Sequence, residues 1–368
     1  MSRPRDLHPV AWWLWAIGLA VAASLTTNPL ILLMLIGVAA LVVSLRRSEQ
    51  PWGQSFRLYV WLGVAIVVIR VGFRLVFGGY FGGRVLLDLP AIPLPSWVDG
   101  ITLLGPLYAQ ALLFALYDGL RLATIVICVG AANSMANPKR LLRSVPPALY
   151  EIGTALVVAV SVLPQFADSL RRVRAAQALR AGETGRVGRL RRLLVPVLED
   201  ALERSLALAA GMDARGYGRA GAASRAQRRT TGALMLVGLV GICVGTYAVL
   251  DHTAPRVLAL PMLGVGVVAA VAGLRSAGRR VERTRYRPDP WSWPELAVVV
   301  SGLLVAVIGW WVSEHQLVVA YPPLDAFPTI SAAALAAGVV ALVGALCSPP
   351  ATRSVATPVV PARAEVAA

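Results

Sequence analysis

Eight apolar runs, each at least 17 residues long, restrict most strongly what this chain can fold into. A helix of about 20 residues, rising about 1.5 Å per residue, is long enough to cross a hydrocarbon layer of about 30 Å. Of the 368 residues, 57% are hydrophobic and 15% are charged, against about 25% charged in soluble domains. The sequence therefore predicts an all-α membrane protein with about eight transmembrane helices. The runs cover roughly residues 9–27, 29–45, 57–77, 106–132, 231–250, 257–274, 295–312 and 328–347.

Basic residues concentrate between these runs and give the chain a net charge of +16. Positive loops of membrane proteins face the cytoplasm, so this charge indicates topology, and we expect no nucleic-acid partner. The connection from 166 to 230 alone holds fourteen arginines. We predict a multi-pass protein of the inner (cytoplasmic) membrane, in contact with the lipid bilayer, with both termini in the cytoplasm. The other basic segments carry Arg46 and Arg47; Lys139, Arg140 and Arg143; and Arg275, Arg279, Arg280, Arg283, Arg285 and Arg287.

A ninth apolar stretch, 148–165, is interpreted differently because of the charge on its two sides. If it crossed the bilayer, Lys139 and the arginine-rich connection would lie on opposite sides, against the positive-inside rule. We therefore predict that it lies along the bilayer face or against the other spans. Glu151 and Pro164 within it favour the same interpretation.

The arginine-rich connection has the pattern of two long amphipathic helices joined near Gly182 to Gly188. From Leu190 to Met212, apolar residues follow the i, i+3, i+4, i+7 spacing of one helix face, with charged residues opposite. A shorter amphipathic stretch, 166–176, precedes it. The predicted organisation is transmembrane helices 1–4 in 1–136, a cytoplasmic or interfacial coupling module in 137–230, transmembrane helices 5–8 in 231–347, and a disordered tail in 348–368.

The sequence offers no catalytic motif. Lys139, in ANPKRLL, is the only lysine, so a phosphate-binding GxxxxGK[ST] loop is impossible and the chain does not itself hydrolyse ATP. A GxSxG elbow, an HExxH helix and paired carboxylates at a span end are also missing. Cys128, Cys243 and Cys347 each lie alone within an apolar run. We expect a non-enzymatic subunit without cofactor or metal.

Five short segments carry a resemblance to a known family. They are LHP at 7–9, GLRLA at 119–123, NPKRLLRSVP at 137–146, AAQALRAG at 175–182 and GMDARGYG at 211–218. Over about residues 7–250 the chain resembles the transmembrane T component of energy-coupling factor (ECF) transporters, the CbiQ/EcfT-like family. GMDARGYG resembles that family's Ala-Arg-Gly signature at the end of the second coupling helix. Where the first signature is expected, the chain has Leu179-Arg180-Ala181, which keeps the arginine but not its neighbours.

The resemblance implies a scaffold that binds no substrate itself. In this family two arginine-bearing helix ends dock into two ABC-type ATPase subunits, and the spans hold a small membrane substrate-binding S component. The planar guanidinium of arginine suits a groove because it meets carboxylates bidentately. The alternative for each arginine is a solvated surface charge worth about 0–1 kcal/mol. The residues predicted to couple to the ATPases are Leu179, Arg180, Ala181, Ala214, Arg215 and Gly216.

Four charged residues fall inside predicted spans. Arg70 and Arg74 are one helical turn apart in the third span, and Asp118 and Arg121 lie in the fourth. Charges at membrane depth are costly unless paired, so we predict an ion pair between Asp118 and either Arg70 or Arg74. A structural pair and a part in gripping the S component are both open interpretations of this network.

We therefore expect the T component of an ECF-type importer for a vitamin or a transition-metal ion. Such a subunit transmits conformational change of the ATPases to the S component. One alternative is the permease of a conventional ABC importer, which places a single helical coupling loop against its ATPase. Another alternative is a membrane-embedded transferase or anchoring protein.

Overall fold

The computed structural model describes residues 6–47, 55–78, 82–90, 92–93, 102–144, 146–179, 186–217, 224–251, 256–278 and 291–349. Within them the chain is mainly helical, with a 3-10 turn at Pro147–Leu149 and five short strands between the third and fourth helices. The helices are α1 (Pro9–Ser24), α2 (Pro29–Arg46), α3 (Phe56–Val76), α4 (Ala109–Met135), α5 (Pro138–Arg143), α6 (Tyr150–Leu179), α7 (Arg186–Ala214), α8 (Arg225–Leu250), α9 (Arg256–Gly278), α10 (Trp293–His315), α11 (Leu317–Ala320) and α12 (Ala332–Leu346). The strands are β1 (Phe77–Gly78), β2 (Val85–Asp88), β3 (Ile92–Pro93), β4 (Thr102–Leu103) and β5 (Pro106–Tyr108).

Each of the eight predicted spans coincides with one helix, and the all-α membrane class is confirmed. Among the described residues, seven helices are long and apolar enough to cross a membrane: α2, α3, α4, α6, α8, α9 and α10. The remaining two predicted spans, α1 and α12, are apolar but only 16 and 15 residues long. At about 1.5 Å per residue these two helices extend about 23–24 Å.

Helix α6 differs from the sequence-based interpretation. The hydropathy pattern separates the apolar stretch 148–165 from the amphipathic stretch after it, whereas residues 150–179 form one continuous helix of 30 residues. Pro164 lies inside this helix without ending it. A proline removes one backbone hydrogen bond, but leucine, alanine and arginine, all strong helix formers, dominate on its C-terminal side. From Ile152 onward α6 is long and apolar enough to span a membrane. The interpretation that it does not cross the bilayer, which depends on the charges on its two sides, stays a prediction.

One compact unit consists of Met1–Leu141 and Asp289–Ala368. Its α1 packs on α4 and α10, α2 packs on α4 and α12, and α3 packs on α4. Small residues allow the closest approach, since a Cβ at Gly18 on α1 would overlap the backbone of Gly302 on α10. The indole nitrogen of Trp15 donates to the carbonyl of Ala341 on α12 at 3.2 Å. The largest fully buried apolar side chains of this core are Trp15, Leu19, Leu32, Leu35, Val42, Val43, Val298 and Val305.

The turn between α1 and α2 is tied to the C-terminal part of this unit by polar groups. Asn28 is fully buried; its side-chain oxygen accepts from the Leu30 backbone nitrogen at 3.0 Å, and its amide nitrogen donates to the carbonyls of Val319 and Thr329, both at 2.7 Å. The Thr26 hydroxyl donates to the Ala320 carbonyl at 2.7 Å. The Thr27 backbone nitrogen also donates to the Ala320 carbonyl, at 2.9 Å. The turn therefore satisfies three backbone carbonyls of residues 319–329.

The connection between α3 and α4 forms two small antiparallel sheets, which the sequence pattern did not predict. One has the strand order β1-β4-β3, and the other pairs β2 with β5, with Val85 opposite Tyr108. All four β2 residues are exposed.

A second compact unit consists of Leu142–Pro288. Within it α6 packs on α7 and α8 packs on α9. Gly238 and Gly245 on α8 face Ala270 and Leu263 on α9, and a Cβ at either glycine would come within 2.6 Å of the α9 backbone. Such close approach is characteristic of helix pairs in membranes. A capping box between Ser224 and Gln227 starts α8.

Candidate coupling site

Arg215 stands at the point where α7 ends. The Tyr217 nitrogen donates to the Met212 carbonyl at 3.0 Å and the Gly216 nitrogen to the Asp213 carbonyl at 2.9 Å. These two bonds form the Schellman arrangement that closes helix C-termini, and it requires a left-handed residue at the position of Gly216. Gly216 has φ +75°, which glycine adopts without the steric cost that other residues meet. The glycine therefore ends the helix, and Arg215 is the exposed residue at its tip.

The other predicted helix end is described only in part. Helix α6 ends at Leu179, whose side chain is 88% exposed. Arg180 and Ala181 lie outside the described residues. Ala214, the last residue of α7, is exposed and Gly216 is partly buried.

The contact between α6 and α7 is local; we call it the α6–α7 contact and define it by Ser169 and Arg172 on α6 and Val197 and Asp200 on α7. Val197 is 1% exposed and is the one buried side chain in the part of α7 whose burial is described. Ser169 on α6 is also buried, at 4% exposed. Arg172 lies 3.5 Å from the Asp200 carboxylate. The two helices therefore meet near the middle of α7 and not along its length.

The charge of Asp200 is stabilised at this contact. A hydrogen bond from the Ser169 side chain is the largest cause that lowers the pKa of Asp200 below its ordinary value, followed by Arg204 and Arg172, against an opposing effect of desolvation. Arg204 on α7 itself lies 3.0 Å away. A lowered folded-state pKa means that ionised Asp200 stabilises the contact at neutral pH. That stabilisation is lost only as the pH falls through the lowered pKa.

A ridge of leucines on α7 is left uncovered by the described part of the chain. Leu190, Leu194, Leu198, Leu202 and Leu206 follow one another at i+4 spacing, and their side chains are 41–62% exposed. The i±4 row of a helix is a ridge that packs into the groove of another helix. The apolar face predicted for α7 is thus divided: Val197 packs inward, and the leucine ridge faces outward.

Three of the four predicted intramembrane charges, Arg70, Asp118 and Arg121, take part in two separate contacts between described residues. Arg70 on α3 donates to the carboxylate of Asp118 on α4, so Arg70 is one partner of the two that the sequence left open. Gly119 lies beside this pair, where a Cβ would come within 3.2 Å of Arg70. Arg121 donates instead to the backbone carbonyl of Ser24, the last residue of α1. Arg121 thereby satisfies a carbonyl that the end of α1 leaves without a helical partner. Arg74 lies in the last turn of α3.

Two of the remaining short segments are helix caps. The His8 ring nitrogen accepts from the Val10 backbone nitrogen at 3.3 Å and caps α1. The side-chain oxygen of Asn137 accepts from the Lys139 backbone nitrogen at 3.0 Å at the start of α5. Arg140 on α5 donates to the Asp6 carbonyl at 3.2 Å. Arg140 of NPKRLL therefore links α5 to the residue that precedes LHP.

Sequence reasoning missed several of these contacts. It did not identify the cluster of Ser169, Arg172 and Asp200. These residues lie on two different helices, and no sequence spacing shows which residues of two helices will meet. The buried Asn28 had one signal, an asparagine before a proline, which is typical of a helix start. No group of three or more histidines, cysteines and acidic residues lies together among the described residues in a way that could hold a metal ion.

A comparison with protein families finds one match that covers more than half of the chain. The family model described as CbiQ, cobalt transport protein, matches residues 2–226. The match includes α1 to α7 and the Arg215 helix end, and it stops at the start of α8. No curated protein matches the chain.

Proposed function

Because this chain belongs to the CbiQ family of cobalt transport proteins, and so is a multi-pass membrane component of a transport system, we propose that it is the T component of an ECF-type importer. In this role it transmits the conformational change of two ABC-type ATPase subunits to a small membrane substrate-binding S component. The cargo is a vitamin or a transition-metal ion. The chain itself catalyses no reaction, and both of its termini lie on the cytoplasmic face of the inner membrane.

The geometry of the α7 end is the observation that carries this proposal. At a helix that ends in a Schellman turn, an exposed arginine projects its planar guanidinium, with several N–H donors, beyond the last turn of the helix. In a partner groove it forms charge-assisted hydrogen bonds, which are about twice as strong as neutral ones. Gly216 supports this role, since the Schellman turn fixes the direction in which the chain leaves Arg215.

The leucine ridge supports the second half of the proposal. A row of five exposed leucines on a helix with many charged residues is unfavourable in water. A hydrophobic membrane protein that packs its own helices into this ridge would remove that surface from solvent. The S component of the proposed complex has this chemistry.

The experiment that tests the proposal is purification of the tagged full chain in mild detergent, together with transport measurements for Arg215 variants. Two P-loop ATPases and one small hydrophobic protein should co-purify. Arg215→Ala should weaken ATPase association or uncouple hydrolysis from uptake, because truncation strands partner groups at about 2–5 kcal/mol. Arg215→Lys should retain partial function at best, since lysine keeps the charge but loses the planar fork.

Arg228→Ala is the matched control, because Arg228 is an exposed arginine on α8 outside the signature. It should leave both association and transport unchanged. Full transport by the double variant Arg180→Ala/Arg215→Ala with the ATPases still bound would refute the coupling role. Co-purification of ATPases without any small hydrophobic protein would favour a conventional permease.

A further inference from the structure

The small sheet of β2 and β5 is fixed to the first turn of α4. β5 ends at Tyr108, the residue that directly precedes α4, and Val85 of β2 pairs with it. The Ala109 backbone nitrogen donates to the Arg84 carbonyl at 3.0 Å, and the Arg84 nitrogen donates to the Gln110 side-chain oxygen at 3.1 Å. These bonds hold the sheet against a helix that is long and apolar enough to span a membrane.

The pairing confines β2 to the region where α3 and α4 leave the bilayer. Asp88, its last residue, lies opposite Pro106, three residues before α4 begins. A strand rises about 3.3 Å per residue, so the far end of β2 is about 10 Å from the start of α4. The other end of the connection is tied to α3, since the Leu104 nitrogen donates to the carbonyl of Val76 at 2.8 Å.

Three consecutive apolar side chains of β2 are left uncovered. Val85, Leu86 and Leu87 are 46–55% exposed. β2 also has one edge without a partner strand in the described part of the chain. A two-stranded sheet is only marginally stable in water by itself, and exposed apolar side chains need a further surface that covers them. The whole connection is poor in charge, since residues 77–108 carry only Arg84, Asp88 and Asp99.

From this position we propose that the β2–β5 sheet is a membrane-interface anchor, and that its partner is the headgroup layer of the bilayer that α3 and α4 cross. The apolar side chains of β2 enter the boundary between headgroups and acyl chains, where apolar surface is removed from water. Open strand edges do not occur within the hydrocarbon region, so the sheet lies no deeper than this boundary. The exposed guanidinium of Arg84, directly before β2, suits the phosphates of the same layer.

Such an anchor restrains the helix that has the least packing of its own. Gly63 is the one buried residue of α3, where a Cβ would come within 3.0 Å of the Ile127 side chain on α4. A helix with so little burial is free to shift in depth unless its ends are held. The connection holds the C-terminal end of α3 through the bond from Leu104 to Val76. The sheet thus fixes the depth of α3 and α4 together.

The test measures the depth of β2 with the purified full chain in vesicles of phosphatidylcholine and phosphatidylglycerol. A polarity-sensitive fluorophore is attached at Leu86→Cys after replacement of Cys128, Cys243 and Cys347. Its quenching is compared for iodide in water, for lipids with a nitroxide near the headgroup, and for lipids with a nitroxide near the chain end. The nitroxide near the headgroup should quench most strongly. Iodide should quench several-fold less than it quenches a label in water.

Asp325→Cys is the matched control, because Asp325 is exposed in the connection between α11 and α12, which we predict on the same side of the membrane. Iodide should quench this label strongly, and neither lipid nitroxide should. Equal iodide quenching at Leu86 and Asp325 would overturn the proposal and leave β2 as a surface for another protein. Strongest quenching by the nitroxide near the chain end would also overturn it. Should Leu86→Cys fail to purify, Leu87→Cys decides.

A second variant tests whether the apolar side chains hold the sheet in place. Leu87→Asp, with the label at Leu86, should raise iodide quenching several-fold toward the level of Asp325, because a carboxylate is costly in the interface. Leu87→Val keeps an apolar side chain and should leave the quenching unchanged. Unchanged quenching in Leu87→Asp would refute the anchor. No ATPase or S component is present in these vesicles, so the result is independent of the proposed function.

Discussion

Gly216 is the residue whose backbone most directly determines how Arg215 is presented. Its φ of +75° is unfavourable for any residue with a Cβ. Gly216→Ala should therefore destabilise the α7 terminus by about 1 kcal/mol and weaken ATPase association although Arg215 is intact. Co-purification with the ATPases measures the effect.

Gly211 supplies a control in the same helix. A Cβ at Gly211 meets nothing within 4 Å, and its φ is not in the left-handed region. Gly211→Ala should raise helix stability by about 0.5–1 kcal/mol and leave ATPase association unchanged. Equal losses in the Gly211 and Gly216 variants would mean that the Schellman turn has no special role.

Asp118 is the residue on which the α3–α4 ion pair depends. Asp118→Asn should lower the yield of folded protein, because it leaves Arg70 without its counter-charge. Breaking a fully desolvated ion pair costs about 3–5 kcal/mol of folding free energy, and breaking a partly exposed pair costs less. The exchange Asp118→Arg/Arg70→Asp should recover part of the yield. Fluorescence-detected gel filtration of the detergent extract measures it.

The matched comparison places the exchange at Arg74, one turn further along α3. Recovery by Asp118→Arg/Arg74→Asp as large as that by the exchange with Arg70 would show that Asp118 pairs equally well one turn further along α3. Wild-type yield and transport for Asp118→Asn would show that the charge of Asp118 is not needed.

At the scale of elements, the packing of α1 on α10 depends on Gly18. Gly18→Leu should disrupt this pair because the side chain would have to occupy the space of the Gly302 backbone. Overpacking of this kind costs about 1–3 kcal/mol or more. The measurement is the thermal stability of the purified chain.

Gly37→Leu on α2 is the matched control, since a Cβ there meets nothing within 4 Å. It adds the same apolar side chain to a neighbouring apolar helix and should be tolerated. If both leucine variants are equally stable, the α1–α10 contact does not depend on a small residue at 18.

How completely the helices and strands could be predicted depended on the length of the sequence pattern of each. The apolar runs predicted eight helices because a run of about 20 residues has few alternatives in a membrane protein. Strands β1 to β5 were missed because each has only two to four residues and no alternation. The continuity of α6 was missed because a proline usually marks a helix boundary, and Pro164 does not.

The site was predictable where local sequence determines geometry. Gly216 determines the end of α7 within five residues, so the amino-acid sequence alone was enough to place the signature on a helix terminus. That Arg70 is a partner of Asp118 could be read only from the packing of α3 on α4. The predicted Arg180 end lies outside the described residues and stays a prediction.

For the whole molecule, topology is the property that sequence and structure constrain together. In a chain without native cysteines, a cysteine at Phe327, which is 96% exposed, should react with an impermeant thiol reagent in intact cells. Cysteines at Arg47 and at Glu203, an exposed residue of α7 outside the leucine ridge, should be shielded, because the basic segments face the cytoplasm. Mass-shift labelling before and after permeabilisation measures this.

Permeabilised cells are the control, and there all three cysteines should react. Labelling of Glu203→Cys in intact cells, with Arg47→Cys still shielded, would show that α6 crosses the bilayer. That result would overturn the prediction that residues 148–165 are uncrossed.

The ties between the first turn and the last helices have a consequence for how the protein is made. The side chain of Asn28 finds its partners 291 and 301 residues later in the chain. At a synthesis rate of about 5–20 residues per second, the turn waits about 15–60 s after insertion before those carbonyls exist. Until then its amide is open to lipid headgroups, water or the insertion machinery. The first two helices to enter the membrane are thus among the last to be completed, and in a chain truncated before Val319 the Asn28 amide lacks both of these acceptors.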